Sequence, residues 1–488
     1  MRGTTTLPSP VLLGQTAGMT RPGRRLPTLI FVLVWVSCAW FGSWEFNPNN
    51  ATRLFASISL VEDGDATIDE FANLTIDKAR FEGHAYLDKA PGMTLMAIPA
   101  VAIADMATGE TASDHILLAG EQEFTRYIRL RQRIAVAIGP AILTALAAAL
   151  LYDLGLALTG SAGAGVFAAL GFALATPIWG WSTTLLGHAP VAALLVVAVW
   201  GAWNTRGLWP RALLVGLALG WAVVVEYQAA LIGGVVALWA VSHWWSQPKR
   251  WRLVGIAAAG GVIALIPLGL YNLLAYATPF HLGYQDVVGF EGMNQGLFGL
   301  GVPRWSVLWA ILFGSHRGLV WVAPALVLFA PFGLARLIGS RATRGLAIMA
   351  ATGVAVALLV NAAYFYWDGG NATGPRHAMP LIGLAAIGLA VWWASLSHRA
   401  TRIGSVALLG LGMVINLMIA SADIFAPPDY DWPVWSLVWK LRFSAGQLQT
   451  LPNEWFGWSP WAGLALYCAI AVPLLALLLH HARVSDRP

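Results

Sequence analysis

The sequence predicts an all-α polytopic membrane protein, a bundle of about twelve transmembrane helices with a structured first extracytoplasmic loop. Of 488 residues, 58% are hydrophobic and 11% are charged, whereas soluble domains carry about 25% charged residues. Apolar runs near the membrane-spanning length of about 20 residues recur almost to the C-terminus. Together these observations exclude a large soluble enzyme with a single anchor. Both cysteines lie in apolar runs, which argues against a disulfide framework or a cysteine-based metal site.

Basic residues in short loops set the expected orientation, because cytoplasmic loops are enriched in Lys and Arg. The expected spans lie at 26–44, 134–152, 162–182, 189–203, 212–225, 228–245, 253–275, 318–335, 345–363, 378–396, 402–421 and 461–480. The tails, 1–25 and 481–488, then fall in the cytoplasm, and the bundle extends over 134–480. Extracytoplasmic loops are expected near 276–304, 364–377 and 422–460.

The stretch Pro91–Met106 is marginal for a span, since it has about 16 apolar residues, and it is interpreted as a re-entrant or interfacial helix. That interpretation leaves four arginines outside, against the usual trend. They are Arg126, Arg129, Arg131 and Arg133. Either these arginines have partners or the orientation assumed here is wrong.

The first extracytoplasmic loop, residues 45–133, is where we expect the chemistry. Residues 45–123 carry 14 of the 24 Asp and Glu, and loops longer than about 12–15 residues are usually functional or disordered. Apolar residues recur throughout the loop, which argues against disorder. The stretch Asn50–Val61 has helical spacing and predicts an amphipathic helix lying along the membrane.

Lys89 is one of only four lysines, and it stands at the lip of an apolar helix in the stretch Gly83–Gly92. A lysine at the membrane interface can simply snorkel toward water. Alternatively, its ammonium binds a phosphate at headgroup depth, and Asp88 orients it. Pro91 would preset the first turn of the following helix.

The stretch "GHAYLDKAPGMTLMAIP", after an anchor and an acidic loop, resembles the GT-C class of membrane glycosyltransferases. The pattern is similar to that of the protein O-mannosyltransferases and the lipid A aminoarabinose transferases. Their Tyr-x-(Asp/Glu)-Lys-x-Pro core matches Tyr86, Asp88, Lys89 and Pro91 in place. Two further stretches, "WSTTLLGHAP" and "YWDGGNATGPRHAMP", resemble bacterial members of this class. The resemblance covers the first 190 residues and a patch near 366–380.

The resemblance implies a GT-C-type bundle and an inverting transfer from a polyprenyl-phosphate sugar donor to an extracytoplasmic hydroxyl, on a glycan, lipid or protein. It also implies a carboxylate base in the first loop, with Lys89 at the donor phosphate. The family's acidic motif after the first span is replaced here by Asn49-Asn50. Asp77 is therefore the first choice as base, with Asp69 and Glu45 as alternatives.

Further candidates are polar residues expected at the same membrane face. Arg376, Arg317 and Arg53 are candidate phosphate ligands beside Lys89, with interface anchoring as the alternative for the first two. The residues expected to orient the site or contact substrate are Asp88, His84, Tyr86, His188, His377 and Trp367. The aromatic belt of membrane interfaces is an alternative explanation for Trp367.

The remaining patterns indicate what else the protein does or does not bind. The bases beside apolar spans suit membrane lipids, not nucleic acid. No cofactor is indicated. Asp63 and Asp65 form a turn or, alternatively, a divalent-cation site, and the sequence predicts no dense metal-ligand set. The segment Asp423–Trp435 is a solvated loop or an acceptor site.

Two other function classes remain open: a secondary transporter, and a lipid scramblase or flippase of the cell envelope. Transporters favour inverted repeats and sites near the bilayer midplane. This chain shows no obvious two-fold repeat, and its polar residues concentrate at one interface. The expected location is a bacterial inner membrane.

Overall fold

The structure is a computed structural model that describes residues 25–42, 44–204 and 208–486. Most of the predicted N-terminal tail, together with Arg206 and Arg487, lies outside the described residues. Within these ranges the regular secondary structure is helical apart from one two-stranded sheet and isolated bridges, and loops connect the helices. The predicted all-α class is confirmed.

The helices are α1 (Arg25–Trp40), α2 (Pro48–Glu62), α3 (Gly92–Thr108), α4 (Gln122–Ile138), α5 (Pro140–Thr159), α6 (Ala162–Ala173), α7 (Ile178–Trp181), α8 (His188–Trp203), α9 (Trp209–Val225), α10 (Ala229–Trp244), α11 (Arg250–Tyr276), α12 (Trp305–Leu312), α13 (Leu319–Val322), α14 (Pro324–Ile338), α15 (Arg341–Ala363), α16 (Leu381–Ala394), α17 (Arg399–Ala422), α18 (Leu451–Phe456) and α19 (Pro460–Ser485). A π-helix spans Val434–Phe443. The strands are β1 (Ala79–Phe81) and β2 (His84–Tyr86).

Each apolar run that the sequence predicts as a span overlaps at least one helix, and the predicted spans 162–182 and 318–335 are each divided between two helices. Five helical stretches in the described ranges are long and apolar enough to cross a membrane: Gln122–Thr159, Arg250–Tyr276, Arg341–Ala363, Arg399–Ala422 and Pro460–Ser485. Shorter apolar helices, of 10–17 residues, accompany them. This is the architecture of an integral membrane protein.

The predicted span 162–182 is interrupted. α6 ends at Ala173, and the chain forms a helix again only at Ile178. Pro177 explains the interruption, because proline disfavours helical geometry in the residue before it and has no N–H to donate. The irregular backbone that follows is completely buried up to His188, which is how non-helical backbone is tolerated at membrane depth.

α2 is the predicted amphipathic helix, but its environment differs from the expectation. Every residue from Asn50 to Ser59 is buried, not only one apolar face. Phe55 stacks on Phe71 with ring centroids 4.6 Å apart, and the Asn50 side chain accepts a hydrogen bond from the Leu185 amide at 2.8 Å. The helix is therefore enclosed by protein on all sides and has no apolar face left over for lipid.

Close helix packing rests on glycines. A Cβ on Gly216 of α9 would come within 1.8 Å of the Ala257 carbonyl oxygen of α11, and one on Gly333 of α14 would approach the Gly388 carbonyl of α16 equally closely. Small residues let helix backbones approach each other in membranes, where van der Waals packing drives association. These glycines therefore allow the helices of each pair to pack closely against each other.

The loops predicted on the extracytoplasmic face contact one another. The Val288 amide donates to the Lys78 carbonyl at 3.1 Å, and the Gly301 amide donates to the Ala363 carbonyl at 2.9 Å. At the other end, Asp486 after α19 accepts a hydrogen bond from the Ala162 amide at 2.6 Å. Which side of the membrane each group of loops occupies stays a prediction.

Three of the four unexpected arginines form ion pairs. Arg129 contacts Glu45 at 2.6 Å, Arg131 contacts Asp105 and Arg133 contacts Glu454 at 2.6 Å. Arg126 is exposed. Since paired arginines carry little net charge, they do not conflict with an extracytoplasmic position.

Substitution Arg133→Ala is expected to destabilise the protein, because it leaves the buried Glu454 carboxylate without its partner. Removing one member of a buried ion pair costs about 3–5 kcal/mol. The apparent melting temperature in detergent should therefore fall clearly. Arg126→Ala removes an exposed arginine from the same helix and should leave it unchanged. Equal melting temperatures for both variants would contradict the prediction.

Candidate active site

A β-hairpin brings Asp77 and Lys89 together. β1 pairs with β2 in antiparallel register, with Ala79 opposite Tyr86, so that residues 77 and 88 face each other beyond the open end. The two-residue turn needs positive φ angles, and Glu82 (48°) and Gly83 (93°) supply them. As a result, the Lys89 Nζ lies 3.7 Å from the Asp77 Oδ2.

Asp88 also contacts the Lys89 ammonium. Its side chain is fully buried, and its second oxygen has no hydrogen-bond partner among the described residues. Burial raises the pKa of the Asp88 carboxyl, and the Lys89 ammonium acts against that rise. Lys89 is thus held between two carboxylates, while its own side chain keeps 15% of its surface exposed.

A second buried ion pair joins α2 to the break between α9 and α10. Arg53 contacts the Glu226 carboxylate at 3.3 Å, and the two side chains are 1% and 7% exposed. Arg53 also donates to the Asn49 carbonyl at 2.7 Å. Glu226 interacts electrostatically with Lys89 and Arg376, so the two ion pairs belong to one cluster.

Arg376 completes this cluster from the glycine-rich loop after α15. Gly369, Gly370 and Gly374 all have positive φ angles there, and a Cβ on Gly369 would come within 2.8 Å of the Arg376 side chain. Burial lowers the pKa of Arg376 while the Asp77 carboxylate acts against it, and a guanidinium stays protonated.

Arg376 differs from the other cations of the cluster in its partners. Its Nε is buried and has no hydrogen-bond partner in the described part of the chain, where Arg53 and Lys89 each have a carboxylate within 4 Å and Arg376 has none. The cluster therefore contains a partly buried guanidinium, with a buried Nε, that no carboxylate of the described residues neutralises directly.

Two histidines lie beside Arg376. The His188 and His377 rings are 5.4 Å apart, and Tyr364 packs edge-on against His377. Burial lowers the pKa of the His377 imidazole well below its ordinary value, and Arg376 and Lys89 lower it further. A neutral imidazole both donates and accepts hydrogen bonds, yet neither His377 nitrogen has a partner among the described residues.

Other predicted site residues have different partners. Glu45 pairs with Arg129. Arg317 donates to the carbonyl oxygens of Asp368 at 2.8 Å and Gly370 at 2.6 Å, so it braces the loop that carries Arg376. Trp367 packs against the small apolar cluster of α12 and α15.

Asp69, His84 and Tyr86 lie on or beside the hairpin. The His84 Nδ1 is 2.5 Å from the Asp69 Oδ2, and both side chains are about half exposed. The Tyr86 ring is 5.2 Å from the Tyr276 ring of α11. The Asp65 carboxylate accepts from the Thr67 amide at 2.8 Å, as expected for a turn.

Glu226 is the residue of the cluster that the sequence analysis does not include. A carboxylate inside an otherwise apolar stretch, residues 212–245, is the signal that points to it. Its partner on α2 is 173 positions away, and local patterns do not reveal such a pairing.

The comparisons with known proteins give structural neighbours only. No protein-family model and no curated protein match the chain. The crystal structure of ArnT from Cupriavidus metallidurans bound to undecaprenyl phosphate has a TM-score of 0.49 at 15% identity, covering 81% of this chain and 68% of that one. The crystal structure of the apo state of the same ArnT has a TM-score of 0.46 at 13% identity, covering 81% of this chain and 75% of that one. The archaeal oligosaccharyltransferase AglB from Archaeoglobus fulgidus, in complex with an inhibitory peptide and a dolichol-phosphate, gives 0.40 at 14%, covering 81% and 55%.

ArnT and AglB are both GT-C enzymes. The sequence motifs resemble the same class. Since all three TM-scores lie below 0.5, the function proposed below rests on the geometry of the site in this chain.

The attachment of the hairpin should depend on pH. Partial burial alone would raise the pKa of Asp69, but hydrogen bonds from the Ala85 N–H and from His84 outweigh it and lower the pKa. A carboxyl with a lowered folded-state pKa stabilises the folded state above its ordinary pKa and loses that effect as pH falls through the lowered value. Protection of the Ala85 amide against hydrogen exchange should therefore drop below about pH 4.

The control for this measurement is Asp69→Asn, which has no carboxyl to titrate at this position. The Asn oxygen can still accept from the Ala85 N–H, though more weakly than a carboxylate. Protection of the Ala85 amide, corrected for the intrinsic exchange rate, should therefore be lower than in the wild type at neutral pH and nearly independent of pH. The same acid-induced drop in Asp69→Asn would assign the effect to another group.

Proposed function

We propose that this protein is an integral membrane glycosyltransferase that moves a sugar from a polyprenyl-phosphate donor to an extracytoplasmic hydroxyl group. The observation that carries the proposal is Arg376, a partly buried arginine beside the Lys89–Asp77 pair whose buried Nε has no hydrogen-bond partner among the described residues. Desolvating a charge without giving it a partner is costly in a resting protein, and an anionic ligand reduces that cost.

The charge balance of the cluster suits a phosphate. Three cations, Arg53, Lys89 and Arg376, are matched in number by three carboxylates. Glu226 contacts Arg53, and Asp77 and Asp88 contact Lys89, so all three carboxylates are bound to the other two cations and none contacts Arg376. An arriving phosphate would meet Arg376 first and would share Lys89 with the carboxylates. Arginine suits this role, because its planar group can bind two phosphate oxygens at once.

The reaction is an inverting substitution at the anomeric carbon. The acceptor oxygen forms a bond to that carbon while the bond to the phosphate oxygen breaks, and the phosphate leaves with the electron pair. Lys89 and Arg376 neutralise the charge that develops on it, which is usually the largest catalytic contribution. Asp77 takes the acceptor's proton, and Asp88 holds the Lys89 ammonium in place.

The remaining candidates have supporting roles in this proposal. Arg53 lies in the same cluster and is available to the phosphate if Glu226 releases it. His188 and His377 offer unpaired ring nitrogens for sugar hydroxyls. Arg317 positions the Arg376 loop. Asp69 and Glu45 remain alternatives to Asp77 as base. Asp69 pairs with His84 and Glu45 with Arg129, whereas Asp77 contacts the Lys89 ammonium that is proposed to bind the phosphate.

The proposed location is a bacterial inner membrane with the site on its extracytoplasmic side. The support is the arginine-rich connections at the opposite end of the helices, near residues 249–252, 336–344 and 399–402. Such connections are enriched on the cytoplasmic side.

Transfer from a radiolabelled polyprenyl-phosphate sugar pool to a membrane acceptor fraction tests the proposal. Asp77→Asn removes the base and should lower the rate about 10²–10⁴-fold. Lys89→Ala and Arg376→Ala remove cations from the leaving phosphate and should each lower it about 10²–10³-fold. Arg80→Ala removes an exposed cation of the same hairpin and should leave the rate unchanged.

Binding of polyprenyl phosphate alone distinguishes phosphate binding by Arg376 from proton removal by Asp77. Arg376→Ala should weaken binding, whereas Asp77→Asn should not, since it removes a negative charge near the phosphate. Normal transfer by the Lys89 and Arg376 variants would reject the site. A substrate gradient formed by the reconstituted protein would favour a transporter.

A further inference from the structure

A cavity lies against α17, outside the charged cluster of Arg53, Lys89 and Arg376. Its volume is about 440 Å³, within the range of about 300–1,000 Å³ typical of small-molecule sites. We call it the tryptophan groove, and its main lining residues are Trp321, Trp432, Trp435, Trp439, Val414 and Met418. Nearly all of its surface is apolar.

The groove opens toward the surface of α17 that carries exposed apolar side chains. Val414 is 54% exposed and lines the groove, and Val406, two turns earlier on the same helix, is 51% exposed. In a membrane protein such a surface faces lipid, because exposed apolar side chains are stable there. A hydrocarbon chain can therefore enter the groove sideways from the bilayer.

The backbone around the groove is unusual in two ways. Trp432 has a φ angle of 54°, which is rare for a bulky residue. The following segment, Val434–Phe443, is a π-helix, a form that often occurs at functional sites. Residues in uncommon conformations persist where the surrounding structure holds them, and they cluster at ligand sites.

The polar end of the groove suits hydroxyl groups better than phosphate. Ser315 lines it and hydrogen-bonds to the Asp431 carboxylate at 3.1 Å. The Arg317 guanidinium, which also lines it, is occupied by the carbonyl oxygens of Asp368 and Gly370. A carboxylate repels a phosphate group and accepts hydrogen bonds from a hydroxyl.

The loop of Arg376 also borders the groove, because Gly374 is one of its lining residues. Arg317, two positions after Ser315, donates to the Asp368 and Gly370 carbonyl oxygens of this loop. The segment that carries Ser315 is therefore attached to the loop that carries Arg376.

From these observations we infer that the tryptophan groove binds the hydrocarbon chain of a neutral lipid acceptor whose hydroxyl-bearing head lies at Ser315 and Asp431. The inference rests on the proposed function in naming this lipid the acceptor. It selects a lipid from among the glycan, lipid and protein acceptors that the site chemistry allows.

The test is photo-labelling of the full-length protein in nanodiscs. Two probes carry the same diazirine acyl chain, one on a glucosyl diacylglycerol and one on phosphatidylcholine. The glucosyl probe should label the segment 432–439 about fivefold more, which corresponds to a net gain of one hydrogen bond. Asp431→Ala should remove this preference. Equal labelling by the two probes would show bulk lipid in the groove and overturn the inference.

Two variants of α17 form a matched pair. Val414→Trp fills the groove and should lower labelling by the glucosyl probe about tenfold, as expected from overpacking. Val406→Trp places the same side chain on the lipid-facing surface outside the groove lining and should have no effect. Equal labelling of these two variants would overturn the inference.

Competition with unlabelled polyprenyl phosphate distinguishes the donor chain from the acceptor chain. It should not displace the glucosyl probe, and displacement would assign the groove to the donor and overturn the inference. Labelling requires no sugar transfer. An inactive protein with normal groove labelling would therefore count against the proposed transfer and still support a lipid site here.

Discussion

Buried charges must be compensated, and this requirement joins the parts of the site. Arg53 on α2 needs the Glu226 carboxylate between α9 and α10, and Lys89 needs Asp77 and Asp88 around the hairpin. Separating any of these segments would leave a charge without a partner in a region with little water. The first loop is therefore attached to the helical bundle electrostatically as well as by apolar packing. Arg376 is the exception, and its unmatched charge is why the cluster can receive an anion.

Much of the fold was predictable because hydropathy is a local property. Each apolar run overlaps at least one helix. The helix after Pro91 begins at Gly92, within the expected stretch. The boundaries were less predictable where proline interrupts a run, as at Pro177. The environment of α2 was not predictable, since its spacing of apolar residues is typical of a one-sided helix. Its polar residues are buried because they find partners on distant segments, as Asn50 does with Leu185.

The candidate site divides in the same way. The closeness of Lys89 and Asp77 follows from a short hairpin, which the glycine of the turn makes plausible from sequence. Arg376 and His377 were suggested by their expected position at the same membrane face as Lys89. Glu226 and the bracing role of Arg317 depend on contacts between residues far apart in the chain. The arginines of α4 conflict with the expected orientation, and this conflict indicated that they have partners. The structure identifies the partners as Glu45, Asp105 and Glu454.

The two-residue turn at Glu82 and Gly83 fixes the register of the hairpin and therefore the distance between Asp77 and Lys89 in the proposed reaction centre. Side chains alternate between the two faces of a strand, so inserting or deleting one residue in this ribbon would turn either Asp77 or the Asp88–Lys89 pair away from the other. Residues of the hairpin that point outward, such as Arg80, can be exchanged, whereas the number of residues in the hairpin cannot change. Homologous proteins that keep the proposed chemistry should therefore preserve the number of residues between the aspartate and the lysine even where the residues between them have diverged.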